Sequence, residues 1–92
     1  MTRYLADKNY ILRNVAGSHV LISIGDNIAN FNGYIQLTET AAVLWKELGE
    51  PRTVYELTES LQKEYDVDPA QAESDVKEFI DHLVQEGMVQ TL

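Results

Sequence analysis

The hydrophobic period of this 92-residue chain changes once, at Leu37-Thr38, and the change commits it to strands first and helices afterwards. Between Asn9 and Leu37 the apolar residues come in short alternating runs: Tyr10-Ile11-Leu12, then Val20, Ile22 and Ile24 around Leu21, then Tyr34-Ile35-Gln36-Leu37. Period two places successive side chains on opposite faces, the pattern of a half-buried strand. Ala16-Gly17-Ser18 and Gly25-Asp26-Asn27 break the runs. Asn32-Gly33, between Ile28–Phe31 and Tyr34–Leu37, is the strongest hairpin signal in the chain. An antiparallel meander of three or four short strands is predicted over about residues 9–37.

From Thr38 the period is helical. Thr38 caps a segment in which Ala41, Leu44, Trp45 and Leu48 share one face, and Gly49 with Pro51 ends it. Thr53 and Glu56 form a T-x-x-E capping box ahead of a stripe of Val54, Leu57, Leu61 and Tyr65. Asp68-Pro69 gives the third helix an N-cap and a proline at its first position, and Gly87 closes it. Ala72, Val76, Phe79 and Leu83 point one way along that helix, while Ile80 and Val84 lie about 70 to 110° further round. Such a stripe is wide enough for a core face with a groove wall beside it. Met88–Leu92 reads as a short extended return. With helices over about residues 39–87 and no linker, residues 1–92 are predicted to form one α+β domain resembling a winged helix-turn-helix.

Charge divides at the same place as the period. Up to Thr38 there are two acids and three bases; from Glu39 onward there are 13 acids against Lys46, Arg52, Lys63 and Lys77, and the chain carries −8 in all. A winged helix that reads DNA needs basic groups on its third helix, yet this one has Glu73, Asp75, Glu78, Asp81 and Glu86 against Lys77. A DNA-binding transcriptional regulator is therefore the second choice by architecture, and no nucleic-acid or anionic-lipid partner is expected. No segment approaches the roughly 20 apolar residues of a membrane span. Without a cysteine the chain has no thiolate chemistry and no disulfide, so a cytoplasmic setting is expected.

Catalytic signals are thin. His19 sits alone in a strand, without the partner that acid–base or nucleophilic catalysis requires. Glu78, His82 and Glu86 are spaced four apart on one helix, but a solvated acidic face accounts for them better than a metal site. Gly17, Gly25, Gly33, Gly49 and Gly87 are too scattered for a phosphate loop. No catalytic residue, metal site or cofactor is predicted.

The order Tyr10-Ile11-Leu12-Arg13, Asn32-Gly33, Leu37-Thr38-Glu39-Thr40-Ala41-Ala42-Val43-Leu44-Trp45, Arg52-Thr53-Val54, Tyr65-Asp66-Val67-Asp68 and Asp75-Val76 resembles the PqqD-like family, the coenzyme PQQ synthesis protein D group. The resemblance implies a non-catalytic recognition element for ribosomally made, post-translationally modified peptides. Such a domain binds the leader segment of a precursor peptide and presents it to a modifying enzyme, such as a radical SAM enzyme, a leader peptidase or a cyclase. A lasso-peptide pathway fits the resemblance as well as PQQ biosynthesis. The leader is implied to add a strand along Tyr34, Ile35, Gln36 and Leu37, with Asp75, Val76, Phe79 and Leu83 opposite. Ile35 is taken as an edge donor of that strand, and the acidic helices favour a leader carrying lysine or arginine. An open edge also permits pairing with a second copy as a homodimer, and the sequence does not fix the oligomeric state.

Overall fold

The computed structural model describes residues 1–24 and 34–92. The elements run β1 (Tyr4–Ala6), β2 (Tyr10–Val15), β3 (Ser18–Ser23), β4 (Tyr34–Leu37), α1 (Glu39–Glu47), α2 (Val54–Glu64), α3 (Pro69–Gln85) and β5 (Val89–Thr91). The α+β order of an N-terminal antiparallel sheet followed by three helices is the one the periods predict. The turn at Gly25-Asp26-Asn27, the strand at Ile28–Phe31 and the Asn32-Gly33 hairpin lie outside the described residues.

β2, β3 and β4 form one antiparallel sheet with β3 in the middle. The β2–β3 connection is two residues long, Ala16 at φ 52° and Gly17 at φ 84°. Positive φ at both positions is the hairpin turn whose twist matches that of the strands. Asn14 Oδ1 accepts from the Gly17 N–H at 3.2 Å and steadies the turn. Leu21 of β3 is fully buried, and Tyr10, Leu12, Ile35 and Leu37 pack around the same cluster from the neighbouring strands.

Helix ends follow their capping chemistry. The Thr38 side chain accepts from the Ala41 N–H, and Asp68 accepts from the Ala70 and Gln71 N–H groups at 3.1 and 3.4 Å. At α2 the box is complete: the Thr53 hydroxyl accepts from Glu56 N–H at 3.1 Å and the Glu56 carboxylate from Thr53 N–H at 2.9 Å. α3 ends with Gly87 at φ +75°, where Gly87 N–H reaches Val84 C=O at 3.1 Å and Met88 N–H reaches Leu83 C=O at 2.9 Å. These two bonds reverse the chain and seat Met88, 1% exposed, under the helix it leaves. The core gathers Leu44, Trp45 and Leu48 from α1, Leu57 and Leu61 from α2, and Val76, Ile80 and Leu83 from α3.

One element is absent from the sequence reading. β1 precedes the predicted strand region and pairs antiparallel with β5, Leu5 opposite Gln90. On its other side Tyr4 exchanges two bonds with Arg52, at 2.7 and 2.9 Å, and Ala6 N–H donates to Leu48 C=O at 2.9 Å. The extended return at the C-terminal end thus closes a separate two-stranded ribbon against the α1–α2 junction. Among the described residues no helix is long and apolar enough to cross a membrane.

The capping box gives a direct test. The Thr53 backbone N–H and, less strongly, the Thr53 hydroxyl, Arg52 and Arg3 hold the Glu56 carboxyl below its ordinary value, against a desolvation that pushes it up. A depressed carboxyl contributes stability above the unfolded value of 4.5 and loses it as pH falls through the folded value. Thr53→Ala is expected to lower unfolding free energy by about 1 kcal/mol in urea denaturation at pH 7. Glu56→Gln, which replaces the ionised acceptor of the Thr53 N–H, should also destabilise the chain at pH 7, and its difference from the parent should narrow as the solution is acidified.

Candidate functional site

The register of the sheet decides which main-chain groups remain available. Ile24 N–H donates to Asn9 C=O at 2.7 Å, so these two residues face each other as a hydrogen-bonded pair. In an antiparallel ladder such pairs alternate with non-bonded ones. The continuous register then makes Ile11–Ile22, Arg13–Val20 and Val15–Ser18 the bonded pairs of β2 and β3. β3 consequently turns the main-chain groups of His19 and Leu21 toward β4, where they face Leu37 and Ile35. Ile35 and Leu37 are therefore bonded inward. Tyr34 and Gln36 direct their N–H and C=O outward, to a side on which no strand pairs with β4 among the described residues. The edge donor expected at Ile35 is instead Gln36, because parity along β4 is fixed by β3.

Beside the end of β4, α1 and α3 stand apart around a cleft of about 470 Å³ lined by Thr38, Thr40, Ala41, Leu44, Leu61, Asp75, Glu78, Phe79 and His82. Thr38 belongs to both features, as the residue after β4 and the N-cap of α1. The floor is apolar: Ala41 and Leu44 from α1, Leu61 from α2 and Phe79 from α3. Asp75, Glu78, Phe79 and His82 recur at helical spacing and form a strip about 100° round α3 from the core strip of Ala72, Val76, Ile80 and Leu83. The wide stripe of α3 resolves into two faces. Ile80, 1% exposed, belongs to the core, and Phe79 is half-buried at the boundary with the cleft.

The expected binding residues fall into three groups. Asp75 and Phe79 line the cleft. Val76 and Leu83, 0% and 1% exposed, are core residues that support the cleft from behind and present no surface to a ligand. On β4, Ile35 and Leu37 are half-buried against the core, while Gln36 is exposed and its side-chain amide donates to Ser18 Oγ at 3.3 Å. The main chain of Tyr34 lies on the same strand. Thr38, Thr40, Ala41, Leu44, Leu61, Glu78 and His82 are lining residues that the sequence reading did not place in the site. For Glu78 and His82 a signal exists, since they stand three and seven residues from Asp75. For Ala41 and Leu44 there is none, because an apolar stripe does not distinguish a cleft wall from core.

Among the described residues His82 is the one imidazole in the cleft, and no serine or lysine lines it. Among the described residues no three histidine, aspartate or glutamate side chains are grouped to hold a metal ion. Asp75 Oδ1 accepts from Gln71 Nε2 at 2.8 Å, an amide partner that orients the carboxylate without neutralising it. Tyr65, one turn beyond Leu61 on the same side of α2, has its phenol pushed above the ordinary value by desolvation, with the Glu39 and Glu64 charges adding to it.

The family described as coenzyme PQQ synthesis protein D matches residues 18–89 of the chain. Among solved structures, TbiB1 in complex with the TbiA(beta) leader peptide is 19% identical, with a TM-score of 0.73 over 94% of each chain. A lasso peptide synthetase B1 complexed with the leader peptide is 22% identical, with a TM-score of 0.73 over 95% of this chain and 96% of that one. The PqqD truncation of Methylobacterium extorquens PqqCD, a stand-alone recognition element for ribosomally synthesised and post-translationally modified peptides, is 22% identical. Its TM-score is 0.73 over 96% of this chain and 88% of that one. At these identities the likeness is one of fold. No curated protein matches the chain in sequence.

The division of α3 into two faces is checked by truncating one residue on each. Ile80→Ala is expected to cost about 2–5 kcal/mol of unfolding free energy, as core deletions do. Phe79→Ala should cost less than half as much, because part of its ring already faces the cleft. A loss at Phe79 equal to that at Ile80 in denaturant titrations would return Phe79 to the core.

Proposed function

The chain belongs to the coenzyme PQQ synthesis protein D family, and from that premise we propose that it binds the leader segment of a precursor peptide by strand addition to β4. In this role it delivers the precursor to the enzyme that modifies it, a radical SAM enzyme, leader peptidase or cyclase, and performs no chemistry of its own. The observation that carries the proposal is the outward-facing Gln36 main chain beside an apolar cleft. Unpaired N–H and C=O groups on a sheet edge satisfy a peptide main chain whatever its sequence, and the adjoining cleft receives alternate side chains. Asp75 and Phe79 form one wall, with Val76 and Leu83 holding α3 in place behind them.

The gain from such a domain is geometric. Holding the leader raises the concentration of the remainder of the precursor around the modifying enzyme, without a catalytic residue in the domain. Two of the solved structures of similar fold are complexes with a leader peptide, which accords with this role. DNA binding is the weaker alternative: on α3 Lys77 lies 3.7 Å from Glu73, so the single lysine of that helix is paired with an acid.

Fluorescence anisotropy tests the proposal with a labelled synthetic leader taken from a short reading frame beside the gene. Micromolar or tighter binding is expected. Gln36→Pro removes one outward N–H and should weaken binding about tenfold or more while circular dichroism remains that of the parent. Ile35→Pro removes an inward N–H and should instead lower the stability of the sheet. Equal affinities for the Gln36→Pro variant and the parent chain would place the peptide elsewhere.

A further inference from the structure

We propose that the cleft selects its peptide by charge at a fixed spacing: an apolar anchor with a lysine or arginine two residues from it. This rests on strand addition at β4 and specifies what that site accepts. The first support is the composition of the wall. Among the described residues Asp75 and Glu78 are the carboxylates lining the cleft, both are exposed, and no lysine or arginine is among the lining residues. Among the described residues neither carboxylate forms an ion pair. Asp75 is held by the Gln71 amide alone, and Lys77 is engaged by Glu73 on a different side of α3.

The second support is the parity of β4. A peptide residue placed opposite Gln36 shares its pleat, and its side chain points to the same sheet face as Gln36. Its two neighbours point to the other face, where Ile35 and Leu37 meet the helices. Those neighbours are two residues apart, about 6.6–6.8 Å along a strand. Asp75 and Phe79, one turn apart on α3, are separated by about 6 Å along the helix axis. A strand running beside α3 can therefore set one side chain on the Phe79, Leu44 and Ala41 floor and the next on the same face against the carboxylates. Lysine and arginine also bring an aliphatic stem that lies along apolar surface while the charge reaches Asp75 or Glu78.

The test uses the intact chain and a displayed library of random 12-residue peptides, selected in parallel against the parent and an Asp75→Lys, Glu78→Lys variant. Both substitutions are on exposed helical positions, and circular dichroism checks that the variant folds. The parent should enrich an aliphatic or aromatic residue with lysine or arginine at i+2 or i−2. The charge-reversed variant should keep the anchor and enrich aspartate or glutamate at the second position. For one resynthesised peptide, replacing that lysine by glutamine should weaken parent binding about fivefold at low salt and less than about twofold in 0.5 M salt. Enrichment of the anchor without a basic partner, or the same basic pattern on the reversed variant, overturns charge selection and leaves strand addition standing. If no selected peptide loses affinity for the Gln36→Pro variant, strand addition itself fails.

Discussion

Both edges of β3 are occupied, and the rest of the site depends on this. Its main-chain groups alternate between β2 and β4, and one bond, Ile24 N–H to Asn9 C=O, fixes which residues face which way. Once that parity is set, β4 has no freedom. Ile35 and Leu37 are held inward, and the main chains of Tyr34 and Gln36 face outward, where no strand pairs with β4 among the described residues. A shift of one residue in the β3–β4 pairing would invert every side chain of β4 as well as every donor, so the apolar contacts of Ile35 and Leu37 with the core also protect the register of the edge.

α3 performs two tasks on adjacent faces. Ala72, Val76, Ile80 and Leu83 bury one face completely, while Asp75, Glu78, Phe79 and His82 present the neighbouring one. The buried face positions the exposed one: a helix held by four near-zero exposures, capped by Asp68 at its start and reversed at Gly87, keeps its second face at a constant angle to α1. The concentration of acids in the helical half of the chain then has a local consequence. It makes the cleft wall anionic, whereas the β2–β3–β4 sheet carries little charge.

Helices were legible in the sequence nearly to the residue, because their limits are written in local chemistry: Thr38, the Thr53–Glu56 box, Asp68-Pro69 and Gly87 each act within a few positions. β1 was not, since Tyr4-Leu5-Ala6 is too short to show a period and its partners, Val89–Thr91 and Arg52, are distant in sequence. The site was half legible. Its two elements, β4 and α3, follow from the resemblance and the wide apolar stripe, but the choice of Ile80 over Phe79 for the core depends on where α1 and α2 stand. Likewise, alternation along Tyr34–Leu37 names two sets of residues without saying which main chain is free. That depends on pairing that begins at Asn9, on the far side of the sheet.

An unpaired strand edge is a hazard for any soluble protein, because a second copy offers the complementary groups. Here β4 runs into Thr38, which lines the same cleft as Asp75 and Glu78, on a chain of net charge −8. Two copies meeting edge to edge through β4 would bring both pairs of carboxylates into the same confined space, where like charges raise the free energy of association. The anionic wall thereby disfavours edge-to-edge pairing at a strand edge that no other strand covers among the described residues.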